Sequence, residues 1–112
     1  MRYTAGKAAL TRSFKETVKA RAARDKKFRE ALLTEAIEQL LAGEVETGKA
    51  VLRDYINATI GFEKLAEDTG IPPKSLMRML SPKGNPRADN LFVVISQLQR
   101  ASGLHLEVAA GR

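Results

Sequence analysis

The chain has 112 residues, 44% hydrophobic and 29% charged, which fits one globular domain with a modest core and excludes wholesale disorder. It contains no cysteine, which excludes disulfides and thiolate metal sites, and it lacks both a run of about eighteen apolar residues and a signal-peptide core, so a cytoplasmic location without membrane contact is expected. The net charge of +6 gathers at one end: residues 1–29 hold ten Lys/Arg against two acids, Glu16 and Asp25, while the remainder holds nine against eleven. That surplus describes either an arm that meets a polyanion or a solvated basic face without a partner.

Residues 1–10 lack caps and periodicity and read as an irregular lead. Ser13 with Glu16 forms a capping-box pattern, and Phe14, Val18 and Ala22 make an apolar stripe, so the spacing predicts a helix from about Ser13 to Ala23. Asp25 can cap a second helix that buries Phe28, Leu32, Ala36 and Leu40 beside Leu33, Ile37 and Leu41, with Gly43 as its stop. The two helices can also run on as one, because no glycine or proline separates them. Thr47 can cap a third helix whose Val51, Leu52, Tyr55 and Ile56 face inward, ending at Gly61. Tyr55 reads as core, with a DNA or substrate contact as the rarer alternative.

The chain is organised around residues 62–80, FEKLAEDTGIPPKSLMRML. Leu65 and Ala66 share one face of a short helix, and Gly70 stands where a left-handed residue would stop it. Pro72-Pro73 sets up a new helix with proline in its first turn, and Leu76 and Met79 recur at helical spacing. Leu65, Ile71, Leu76 and Met79 then form a seam, Ala66 is small enough for a close crossing, and Pro72, Pro73, Lys74, Ser75, Met77, Arg78 and Ser81 remain outside. Two short helices joined by a glycine turn describe a helix-turn-helix, whose second helix can enter the DNA major groove; an ordinary helical hairpin is the plain alternative. Ser81-Pro82-Lys83-Gly84-Asn85-Pro86 is a turn that ends at Arg87 and acts either as a connector or as a phosphate contact. A last helix starts at Asp89 or Asn90, carries Leu91, Val94, Ile95 and Leu98 inward, and stops at Gly103. Leu104, Leu106 and Val108 alternate with His105 and Glu107, which predicts one short strand that pairs with a second copy or another protein, unless the alternation is that of a simple tail.

The block from residue 51 to 108 resembles the lambda-repressor-like DNA-binding domain of XRE/HigA-type regulators, and among them the probable addiction-module antidote proteins. The similar pieces are GFEKLAEDTG, SLMRMLSPKGNP, the DNLF helix start and the GLHLEV terminal strand. The resemblance implies an all-α lambda-repressor-like bundle with a short C-terminal strand. It also implies operator binding as a homodimer, repression of the chain's own operon and, in some members, neutralisation of a partner toxin. The chain departs from the family in carrying Pro72-Pro73 where a Ser cap and a polar residue are usual, which removes two potential groove donors. The expected organisation is a basic helical extension over residues 1–45 and a helix-turn-helix domain over residues 46–112.

On that reading Lys74, Ser75 and Arg78 face the major groove, with Arg78 bidentate to guanine, and Met77 meets a thymine methyl. Lys64, Lys83, Asn85 and Arg87 lie on phosphates, assisted by the free amides of the Phe62 helix N-terminus. Catalysis has little to build on: the single histidine, His105, lies in the terminal stretch, Glu63 and Glu67 share an exposed helix side, and no glycine-rich phosphate loop or cofactor pattern is present. The non-enzymatic alternative is a protein-interaction module in which the basic N-terminal helix and the last strand hold a partner.

Overall fold

The computed structural model describes the backbone of residues 12–111 and the side chains of residues 16–111. The expected irregular lead over residues 1–10 and the Ser13 side chain of the capping box lie outside the described residues. Six helices follow in order: α1 (Arg12–Arg24), α2 (Lys26–Leu41), α3 (Val45–Ala58), α4 (Phe62–Thr69), α5 (Pro73–Met79) and α6 (Ala88–Ser102). The protein is all-α, and among the described residues no strand is present.

α1 and α2 are two helices, not one. Asp25 leaves the helical region (φ −124°, ψ 100°), and its carboxylate accepts from the Phe28 amide at 3.1 Å, which satisfies one of the amides that a helix start leaves without a partner. Arg21 spans the junction, with its Nε 3.4 Å from Asp25 and its guanidinium 4.8 Å from the centre of the Phe28 ring. α3 begins at Val45, with Glu44 and not Thr47 at its cap position. The turn before it closes through Gly43 N to Leu40 O and Glu44 N to Gln39 O, so the chain re-enters the helix at once and the Thr47 hydroxyl falls inside the first turn. α6 likewise starts at Ala88, before the expected Asp89 or Asn90, and Asp89 places its acid in the first turn where it complements the helix dipole. Gly43, Gly61, Gly70 and Gly103 all have positive φ and stand at the helix ends that the spacing predicts.

One cluster of buried side chains joins the helices. Leu32, Leu33 and Ala36 of α2 meet Val51, Leu52, Tyr55 and Ile56 of α3, Val18 and Ala22 attach α1, and Leu65, Leu76, Val94 and Leu98 bring in α4, α5 and α6. Each fully buried leucine here stabilises the fold by about 1.5–3 kcal/mol through removal of apolar surface from water. Leu41, expected on the buried side of α2, is 69% exposed, because it is the last helical residue before the chain turns away.

The expected C-terminal strand is absent: residues 104–111 carry neither helix nor strand. A strand needs a ladder partner, and this chain offers none among its described residues. The alternation has a different origin. Leu104 N donates to Gln99 O (2.8 Å) and Leu106 N to Gln99 Oε1 (2.7 Å), which lays the tail against α6 with Leu104 buried and Leu106 packed on the core, while Val108 is 84% exposed.

Candidate nucleic-acid interface

α4 and α5 pack against each other across a sharp turn. At the end of α4, Gly70 adopts the left-handed conformation (φ 78°, ψ 6°), which a side chain would strain, and the Thr69 hydroxyl closes the turn by donating to Leu65 O and accepting from Ile71 N. Pro72 is the residue before the helix and Pro73 its first residue, where a missing N–H costs nothing because that donor would have no helical partner. Leu65 and Leu76 are fully buried, Met79 nearly so, and Ile71 and Ala66 pack on the same cluster, so the expected seam is present.

Seating those side chains turns the rest of α5 outward. Lys74, Met77 and Arg78 are exposed, Ser75 is half-buried, and Lys83, Asn85 and Arg87 are exposed in the turn that follows. Arg87 lies 3.2 Å from Asp89, but both side chains face water, so the pair contributes little to stability. Lys64 stands apart from this group. Its ammonium is 3.1 Å from Asp68, which hydrogen-bonds it and raises its pKa above the ordinary lysine value, and its side chain lines a cleft with Lys19 of α1, Arg29 of α2 and Arg100 of α6.

The turn after α5 is held by two cations whose role the sequence pattern does not announce. Lys49 is only 1% exposed, and its Nζ donates to Ser81 O (2.9 Å) and Gly84 O (2.7 Å), with Glu46 Oε2 at 3.2 Å. Four residues on, Arg53 donates to Leu80 O. A buried ammonium is tolerated when carbonyls replace its water, and the carbonyls that these two cations meet belong to Leu80, the residue that ends α5, and to Ser81 and Gly84 of the turn beyond it. The turn then folds back: Gly84 N donates to Ser81 O, and a Cβ at Gly84 would stand 2.0 Å from Arg78 O and 2.7 Å from Met79 O. Only glycine allows that approach. Because Gly84 N is taken, this amide is not available to a phosphate, whereas the flanking Lys83 and Asn85 side chains are exposed. The signal that would have found Lys49 is its register: it stands three residues before Leu52 and seven before Ile56, on the apolar side of α3.

Tyr55 is core. It is fully buried, burial pushes its hydroxyl pKa up, and the hydroxyl donates to Ser102 Oγ. Among the described residues no group of three His, Cys, Asp or Glu side chains is gathered as metal ligands would be, and no helix is long and apolar enough to cross a membrane. Comparison of the chain with protein-family models, with curated proteins and with solved structures gives no match.

Proposed function

We propose that the protein is a sequence-specific DNA-binding regulator, with α4, its glycine turn and α5 acting as a helix-turn-helix in a lambda-repressor-like bundle. The observation that carries this reading is the two-sidedness of α5: Leu76 and Met79 are buried, while Lys74, Met77 and Arg78 are exposed and run directly into the exposed Lys83, Asn85 and Arg87. A short helix with a donor-bearing outer side can lie in a major groove about 12 Å wide, with the cations of the next turn on the backbone.

Arg78 is the residue for a guanine edge, because its planar fork matches two acceptors at once. Lys74 and Ser75 supply further donors and Met77 an apolar contact. Lys83, Asn85 and Arg87 fix the register on phosphates. One helix reads only a few base pairs, so the reading includes a homodimer on a two-fold operator, and Phe92 (65% exposed) and Val93 (44% exposed) supply apolar surface for it on α6. Repression of the chain's own operon and neutralisation of a toxin follow from the family resemblance alone.

The test is a mobility-shift titration of the full chain against the duplex upstream of its own gene and a scrambled duplex of the same composition, across a salt series. The reading expects preference for the upstream duplex that persists as salt weakens both complexes. Equal affinity for the two duplexes at every salt concentration overturns it and leaves the protein-interaction module.

A further inference from the structure

A cleft of about 550 Å³ opens on the side of the molecule built by α1, α2, the end of α3, α4 and α6, and it takes no residue from α5 or from the turn after it. Lys19, Arg29, Lys64 and Arg100 line it, against one acid, Asp68. That acid is already engaged: Lys64 Nζ lies 3.1 Å from one carboxylate oxygen, and Gln97 Nε2 donates to the other at 3.2 Å. Three cations are therefore left facing the cleft. Arg100 gives its Nε to Gln97 Oε1 at 3.2 Å, which orients the side chain; among the described residues neither its terminal amino groups nor the Lys19 ammonium meets an acceptor. Arg29 is anchored through one amino group to Ala22 O at 2.8 Å.

The polar remainder of the lining points the same way. Ser102, whose hydroxyl is hydrogen-bonded to that of Tyr55, adds a further polar group to the cleft lining. A site that offers donors and unpaired cations fits an acceptor-only polyanion, and two arginine forks with a lysine suit phosphoryl oxygens. The volume falls within the roughly 300–1,000 Å³ of small-molecule sites and exceeds what a lone phosphate fills. Ala58 and Ile60 provide an apolar wall for the remainder of such a ligand.

We propose that this cleft binds a small phosphorylated compound, which gives the basic N-terminal helices a function separate from the α5 surface. The probe is inorganic pyrophosphate, titrated into the full chain at constant ionic strength and followed by amide NMR. The expected result is saturable shifts at Ala23, Thr59, Gln97 and Ala101, with none at residues 74–87. Arg100→Gln and Lys19→Gln, both at exposed positions and so expected to fold, should each weaken pyrophosphate binding by about tenfold, the scale of one charge-assisted contact. Absence of saturable cleft shifts at millimolar pyrophosphate, or unchanged affinity in both variants, overturns the proposal. A duplex arm separates the sources of phosphate. If the compound is small, Arg100→Gln leaves duplex affinity unchanged; a parallel loss of duplex affinity assigns the cleft to the nucleic-acid backbone and overturns the small-molecule source. The α5 reading is untouched by either result, since it is read from the preference of the full chain for the upstream duplex over the scrambled one.

Discussion

The turn after α5 and the junction between α1 and α2 use the same kinds of side chain in opposite ways. At the turn, Lys49 is swallowed whole and Arg53 reaches a backbone carbonyl, so position is set by two cations of α3 that gather backbone carbonyls of the chain after α5. At the junction, Arg21 keeps about half of its side chain in water while it meets Asp25 and the Phe28 ring. Contacts of the first kind are costly to break, because a buried carbonyl loses its donor; contacts of the second kind are replaced by water at little loss. The surface proposed for DNA therefore rests on the stiffer construction, and the basic N-terminal side on the softer one.

The stiffer turn is most vulnerable at Gly84. An added methyl group there meets the backbone oxygens of Arg78 and Met79, which are not flexible side-chain ends, so the turn must move as a whole. Gly84→Ala is expected to lower unfolding stability by about 3 kcal/mol, the upper range of overpacking, in urea titrations followed by circular dichroism. An unchanged midpoint would show that the turn is not held against α5. Lys49→Met comes next. It keeps the stem and removes the only donor that Gly84 O meets among the described residues, while it also relieves the ammonium of its desolvation, so the net loss is expected to be about 2 kcal/mol. A gain in stability from this variant would mean that the buried charge costs more than its carbonyls return.

Two substitutions sharpen the contrast between holding the surface and using it. Arg78→Ala removes an exposed side chain, so stability should stay within about 0.5 kcal/mol of the parent while preference for the upstream duplex over the scrambled one falls about tenfold, or 1.4 kcal/mol. Loss of affinity for both duplexes in equal measure would reassign Arg78 to phosphate. Lys83→Ala should weaken both duplexes alike by a few-fold and reduce the slope of log affinity against log salt by about one.

Much of this arrangement is legible in the chain. Gly70, Pro73 and the register of Leu65, Leu76 and Met79 define two short helices and the side each buries, and the exposure of Lys74, Met77 and Arg78 follows from that register. Lys49 was not legible as a clamp, because its carbonyl partners are 32 and 35 residues away and backbone oxygens carry no residue-type signal. The cleft was hidden for a related reason: Lys19, Arg29, Lys64 and Arg100 come from four helices, and only tertiary packing gives them a common wall. The tail misled in another way. Leu104 and Leu106 alternate as a strand would, yet the groups that fix them are the backbone and side chain of Gln99.

The smallest expected effect tests the softer region. The Phe28 amide donating to the Asp25 carboxylate, aided by Arg21 against a partial desolvation, holds the Asp25 pKa below the ordinary aspartate value. Since the folded pKa lies under the unfolded one, the cap contributes its full stability above the unfolded value and loses it as pH falls through the folded value. Hydrogen exchange at the Phe28 amide should therefore show protection, relative to a core amide such as Leu52, that is flat near neutral pH and declines only in the acid range. Asp25→Asn keeps an acceptor for the same amide and should flatten that decline, whereas Asp25→Ala should lower protection at every pH. Neither variant should alter exchange at Gly84, because its amide is held by Ser81 O within a turn that Lys49 and Arg53 fix from α3. If Gly84 protection followed the Asp25 titration, the junction and the turn would be one cooperative unit and the contrast between them would disappear.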